Sequence, residues 1–510
     1  MKSLKYIALA SVIVFASCKK TIDLYPESNL NTGTYYSNFD EVSTALTGCY
    51  SGMQKTLTEE WTLTELRSDN SIMGVAGSTA STNRDLSDLD MFMPSTSHQG
   101  NYTYWASVYA NIHNINLVLN ALNVNYLETA GTISYDNLNI PVSDANRKAL
   151  AAEALFLRAY HYFNLVRLYG GVFLIHEPIT PEEAKGVNRS SVADMYKLIE
   201  ADLKEAVAFG NTAKYSASST SSGRVNTWSA KGLLAKVYLT ENKKAEAVTL
   251  LQDVIANSGY GLQSSYANIF SISNEMNNEI LFAIRFKAGG LGQGSLLPNM
   301  FAPLSSGANV VNGDGKGLNY PSFDINNSYA VADTRKATAI AVYSGKAYPK
   351  KLISNPAIAN DAENDWIVLR YADVLLMLAE AQGNSTSSLS LINQTRIRAG
   401  LAAILPTAVT TTAQFEDSLQ RERRYEFTFE NQRYFDLMRY NTTMTTINAV
   451  QVIKDHFAKE YPLHYIGYPA PKLTLAEMQA LVTAQKLLLP IPQREIDTNT
   501  RLVIPQNPGY

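Results

Sequence analysis

The run RERRYEFTFENQRYFDLMRY spaces Glu422, Glu426 and Glu430 four residues apart, which on a helix would set three carboxylates along one face. Helical neighbours at that spacing lie about 6 Å apart, a separation in the range that glycosidases use for their paired carboxylates. Arg421, Arg423, Arg424, Arg433 and Arg439 interleave with them, however, and that alternation is the mark of a helix laced with ion pairs. The structural reading is preferred.

Other stretches were weighed for chemistry in the same way. GGLGQGS has neither the lysine nor the following helix of a phosphate loop, and reads as a flexible loop. In NGDGKGLNYPSF, Asn312, Asp314 and the Gly317 turn are compatible with a calcium loop. Lys316 stands where a ligand is needed, though, and Phe323 replaces the closing glutamate, so a structural calcium is not favoured. His98, His113, His161, His176, His456 and His464 show no metal-binding spacing, and no GxSxG elbow occurs. The expectation is a protein that is not an enzyme and carries no cofactor.

The first residues have the form of an export signal. Lys2 and Lys5 precede an apolar stretch from Tyr6 to Phe15, about ten residues long and too short to span a bilayer, followed by the small residues Ala16 and Ser17. Residues 1–17 are therefore expected to be removed. Two uses remain for the cysteine that follows, an ordinary residue after the cut or a lipid attachment point. Phe15-Ala16-Ser17-Cys18 resembles a bacterial lipobox, in which the new N-terminal cysteine is acylated, and a multiply acylated Cys18 would tether the mature chain stably. Cys49, the second of two cysteines, is then a lone thiol that packs as a small hydrophobe.

Composition bounds the rest. The chain has 510 residues, 46% of them hydrophobic and 17% charged, enough for a large core. With 43 basic against 46 acidic residues there is no cationic excess for nucleic acid. Tyrosines number 30 against 17 phenylalanines and 4 tryptophans, an aromatic set weighted toward rings with a polar handle, which suits wet interfaces.

The elements that must carry any site are mainly helical. Val192, Tyr196, Ile199, Leu203 and Ala206 recur with helical period behind a Ser191/Asp194 cap, and a second helix through Leu155, Ala159, Phe163 and Val166 should stop at Gly170-Gly171. LLAKVYLTENKKAEAVTLLQDVIANSG reads as two helices joined by a turn at Glu241 to Lys244. Its Leu234, Ala235, Tyr238, Ala247 and Leu251 fall at tetratricopeptide spacing. Further pairs between Tyr371 and Arg398 suggest a repeat scaffold. Asp69 to Gly100 and Lys287 to Ser328 are long Gly, Ser, Asn and Thr-rich stretches of the kind that carry function. The proline-rich tail from Pro490 is expected to run extended over the surface.

EALFLRAYHYFNLVRLYGGVFLI, RVNTWSAKGLLAKVYLT, LRYADVLLMLAEA with INQTRIRAG, ERRYEFTFENQRYFDLMRY, and LLPIPQREIDTN with QNPGY together resemble the SusD/RagB family of Bacteroidetes surface lipoproteins. The resemblance implies a mainly α fold: one domain over residues 18–510, in which a tetratricopeptide-like scaffold bears ligand-binding insertions at roughly 69–105 and 287–328. It also implies an outer-membrane, cell-surface location, a SusC-type TonB-dependent transporter as partner, and an oligosaccharide or, in some members, a peptide as ligand. A scaffold that binds no ligand is a further alternative. A sugar offers C–H faces for aromatic rings and hydroxyls for polar groups. Candidate contacts are therefore Asn70 and Arg84 with Asn101, Tyr102 and Tyr104, and separately Asn319 with Tyr320. Trp105 falls where the family helix has a packed tryptophan and is left out.

Overall fold

The computed structural model describes residues 36–77, 83–215, 219 and 221–510; Cys18 and the expected signal segment lie outside them. Eleven of the described helices have eleven or more residues. They are α1 (Phe39–Thr64), α2 (Gln99–Ala121), α3 (Asp144–Tyr169), α4 (Val192–Phe209), α5 (Thr227–Thr240), α6 (Lys244–Asn257), α7 (Tyr371–Gln382), α8 (Thr386–Arg398), α9 (Thr412–Glu426), α10 (Arg433–Thr443) and α11 (Ala449–Glu460). The boundaries follow local chemistry. The Ser191 hydroxyl accepts from the Asp194 N–H to open α4, and α3 stops at Gly170, whose φ of 73° an L side chain would resist.

Each of α1 to α8 packs on the next, so the chain builds four successive helical pairs. Within α5–α6 and α7–α8 the connecting turns are three residues long, which forces neighbouring helices to fold back on each other. The interfaces bury Leu234, Ala235, Tyr238, Ala247 and Leu251, the residues whose spacing suggested a repeat. Trp105 is buried as expected, ringed by Tyr109, Tyr169 and Phe173. Cys49 is a free, buried thiol.

The strands are short and paired. Strand β1 (Ser71–Ile72) pairs antiparallel with β5 (Tyr320–Pro321), β2 (Val124–Leu127) with β3 (Thr132–Tyr135), β4 (Ile280–Ile284) with β8 (Trp366–Arg370), and β6 (Ile340–Tyr343) with β7 (Lys346–Pro349). Both strands of the β4–β8 pair are buried throughout, and β8 leads directly into α7.

One expectation changes here. The arginine-rich run is not one helix: α9 ends at Glu426, and Phe429 and Asn431 adopt positive φ before α10 begins, so Glu430 leaves the shared face. Its charges do form ion pairs, and most of them are buried. Glu426 accepts from Arg335 (3.0 Å), Arg370 (2.6 Å) and Arg398, while Arg370 also reaches Glu279 and Glu430, each at 2.8 Å. Arg335 continues the network to Glu422 and Asp333, and Arg423 bridges Asp373 and Asp436. Burial alone would raise Glu426, but Arg398, Arg370 and Arg335 together hold it well below the ordinary carboxylate range.

The tail also differs, because after Pro492 it forms a short helix, Gln493–Thr498, and it buries Ile491 and Ile504. Proline bars a helix interior but not the position before its first turn.

Removing one member of a buried ion network strands its partners. Arg370→Leu should therefore cost about 3–5 kcal/mol, whereas Arg421→Ala, whose partner Asp417 is exposed, should stay within about 0.5 kcal/mol. Urea unfolding midpoints of the two variants would differ widely; equal midpoints would remove the network from its structural role.

Candidate functional site

The β1–β5 pair brings the two insertions together, with Ser71 opposite Pro321 and Ile72 opposite Tyr320. Most of the residues selected from sequence are buried, Asn70, Asn319 and Tyr320 at this junction and Asn101 and Tyr104 on α2. Asn70 is buried and accepts from Arg424 Nε at 2.8 Å through Oδ1, while its carbonyl accepts from the Ser322 N–H. Asn101 is buried, donating to the Pro490 carbonyl at 2.9 Å and accepting from the Tyr169 hydroxyl at 2.6 Å. Tyr104 and Asn319 are fully buried. Tyr320 packs so closely between Gly74 and Gly317 that a Cβ on either glycine would collide with it, and its hydroxyl accepts from the Leu304 N–H. These five are corrected from ligand contacts to packing groups. Asn101 and Tyr320 satisfy backbone groups of other segments, Asn70 holds Arg424, and Asn319 and Tyr104 are enclosed by packing alone. The glycines flanking Asn319 and Tyr320 in GKGLNY were the available sign of close approach.

Two candidates keep some access. Arg84, half-buried, pairs with Asp88 and donates to the Ala470 carbonyl. Tyr102, also half-buried, lies under the Arg494 guanidinium at 4.9 Å. The first insertion is anchored nearby through Asp90, whose carboxylate accepts from the Met73 N–H (3.0 Å) and from the hydroxyls of Tyr465 (2.9 Å) and Tyr468. In the segment weighed for calcium, Asn312 donates to the Ala357 carbonyl and Asp314 accepts from the Gly307 N–H. Among the described residues no group of three or more His, Cys, Asp or Glu stands close enough to hold a metal.

One accessible concavity, of about 350 Å³ and strongly polar, lies at the root of both insertions between Asp69, Asp324, Arg424 and His456, and another lies between α1 and the start of the second insertion. The latter is a groove of about 530 Å³ floored by Met53, Phe282, Ile284 and Phe286 and edged by Tyr50, Gln54, Arg224 and Arg285. A further hollow of about 290 Å³, walled by Lys55, Thr58, Leu296 and Asp361, adjoins it, with Ser51, Gln54, Phe286 and Gln293 lining both. The polar edge is held in place. Tyr50 donates to Glu153 at 2.5 Å and accepts from the Val225 N–H, Arg224 Nε donates to Glu153 at 2.8 Å, and Gln54 donates to the Arg285 carbonyl at 2.6 Å.

The glycine stretch shapes one wall and is a built loop, which corrects the flexible reading. Gly289, Gly290 and Gly292 take positive φ, and the Asp361 carboxylate accepts from the N–H groups of Gly289 (2.7 Å) and Gly290 (2.8 Å). An apolar floor with a few fixed donors and acceptors along its edge is the arrangement that recognises a ligand carrying both apolar faces and hydroxyls.

Residues 22–239 match the family described as starch-binding associating with outer membrane, and residues 343–510 match the SusD family. The chain belongs to the SusD/RagB family. A SusD-like protein of Bacteroides ovatus is 26% identical over all of this chain and 98% of its own length. SusD-like protein P25 of Formosa agariphila is 24% identical over 85% of this chain and 89% of its own. Among solved structures, a laminarin binding SusD-like protein superposes with a TM-score of 0.73 at 24% identity, covering 93% of this chain and all of that one. Surface glycan-binding protein A from Bacteroides thetaiotaomicron, in complex with laminarihexaose, superposes at 0.71 and 20% identity over 92% of this chain and 99% of its own. The mainly helical SusD fold is thereby established for this SusD-family chain.

Burial pushes Asp90 up to about 7, above its ordinary value of 3.8. A carboxyl raised in the folded state stabilises fully below the unfolded value, and that contribution is lost as pH rises through 7. Asp90→Asn should therefore remove part of the fall in urea midpoint between pH 5 and 8. An unchanged slope would show that Asp90 does not anchor the insertion in neutral form.

Proposed function

We propose that this protein is a non-catalytic, lipid-anchored cell-surface protein that captures an oligosaccharide and delivers it to a SusC-type TonB-dependent transporter. The groove beside α1 carries the reading, because it is the described concavity that combines an apolar floor with fixed hydroxyl-binding groups and takes one wall from an insertion. Family membership supports the glycan class, since one matching family is described as starch-binding and structures of the same fold include glycan-binding proteins. The same description supports an outer-membrane location. The lipobox-like setting of Cys18 supports the lipid tether; no described helix is long and apolar enough to cross a membrane. The carboxylates that might have suggested hydrolysis are committed to the buried ion network.

Affinity electrophoresis through gels containing starch, β-glucan, xylan, mannan or pectin tests capture. Retardation by one polymer is expected, and Ser51→Trp, which fills the groove where its two parts meet, should abolish it while leaving the unfolding midpoint in place. Loss in Tyr102→Ala with retention in Ser51→Trp would instead move the ligand to the first insertion. Free migration in every gel would sink the proposal.

Lipidation has its own readout. The buried Cys49 thiol is pushed up to about 12 by desolvation and should not react with a thiol reagent in the native protein. Unfolding the membrane-derived protein should release one reactive thiol if Cys18 is acylated, and two if it is free.

A further inference from the structure

We infer that the groove beside α1 takes an uncharged glycan and not one bearing uronate or sulfate groups; this rests on the glycan-capture reading above. Four cations line the groove and its side hollow: Lys55, Arg224, Arg285 and Lys287. Three of them already have anionic partners. Arg224 holds Glu153 at 2.8 Å, Arg285 holds Glu275 and Asp365 at 2.6 Å each, and Lys287 holds Glu363. Of these carboxylates and Asp361, Asp361 alone lines the cavity itself. Lys55, exposed on α1, is the one lining cation without an ion-pair partner among the described residues. Three of the four cations are thus neutralised by carboxylates that lie behind the lining, and Asp361 stands in the same hollow as the fourth, Lys55.

That balance disfavours an anionic ligand physically. A uronate or sulfate entering the groove must shed water, and the ordinary return is pairing with an uncompensated cation. Here the arginines would have to release their carboxylates, and the unpaired Lys55 shares its hollow with Asp361, whose like charge opposes an anion there. A neutral sugar meets neither cost. Its C–H face can meet the exposed edge of Phe286, above the buried Met53 and Phe282, and its hydroxyls can use donors and acceptors that the ion pairs hold in one position. Arg224 is an example: only its Nε is engaged by Glu153, so its terminal nitrogens remain available as oriented donors. The ion pairs therefore serve as preorganised hydrogen-bonding groups.

Calorimetric titration of the purified full chain with two oligosaccharide panels separates the outcomes. The neutral panel comprises gluco-, xylo- and manno-oligosaccharides, and the acidic panel comprises oligogalacturonate, oligoalginate and sulfated galactan fragments, each at 50 and 500 mM NaCl. A neutral binder is expected, with an affinity that changes less than twofold across that salt range and falls at least tenfold in Ser51→Trp. Gln293→Trp, at an exposed loop position lining both parts of the groove, provides a second block if Ser51→Trp does not fold. Tighter binding of an acidic oligosaccharide, lost at least tenfold at high salt and in the blocked variants, would overturn the inference while leaving glycan capture intact. Binding that neither block affects would overturn it by placing the ligand elsewhere. Binding of no member of either panel would instead overturn glycan capture itself.

Discussion

Arg370 stands at the end of β8, where the strand pair meets the last two helices of the repeat scaffold. From there it contacts Glu279 before β4, Glu426 at the end of α9 and Glu430 in the turn that follows. Segments separated by some 90 residues of chain are thus tied at a single guanidinium. Charges buried in this way are costly unless every one is paired, so the network tolerates little displacement of the elements that supply it. Arg398 and Arg335 bind the same glutamate, bringing α8 and the short helix Arg335–Ala339 into register with α9. The interaction selects an arrangement more than it adds stability, because an apolar cluster of similar size could hold as tightly.

The insertions depend on that frame. Arg424 and Arg433, from the same run, reach Asp69 and Asn70 at the root of the first insertion, and Arg424 also reaches Asp324 beyond the end of β5. Two long irregular stretches are joined in this way to α9 and α10 and to each other through β1 and β5. Several of their asparagines and tyrosines are buried by this packing, which leaves fewer for a ligand than composition suggests. One part that remains open is the seam between scaffold and insertion, where α1 faces the glycine loop and a groove persists because Asp361 holds that loop in shape. The neutral balance of charge around this groove fits a protein whose overall charge is also close to neutral.

The residues by themselves carried the helical repeats, because those rest on short-range regularities: capping residues, a 3.6-residue apolar period and glycine stops. Ser191, Gly170 and the Glu241 to Lys244 turn all act where local chemistry said they would. The motifs of the SusD/RagB family were likewise legible, being runs of sequence, and the burial of Cys49 and Trp105 followed from residue type and place. Exposure in the irregular segments was decided only by tertiary structure, since a loop residue's surroundings are set by partners far along the chain and no period announces them. Asn70, Asn101, Tyr104, Asn319 and Tyr320 have the chemistry of sugar contacts, yet all are buried: Asn70 under Arg424 of α9, Tyr320 in the β1–β5 pair, and Asn101 between Tyr169 of α3 and the Pro490 carbonyl. The groove is likewise invisible in sequence, because its walls come from residues near 50, 224, 285 and 361. Periodicity can report which face of a helix is buried, but only the folded chain brings such distant positions together.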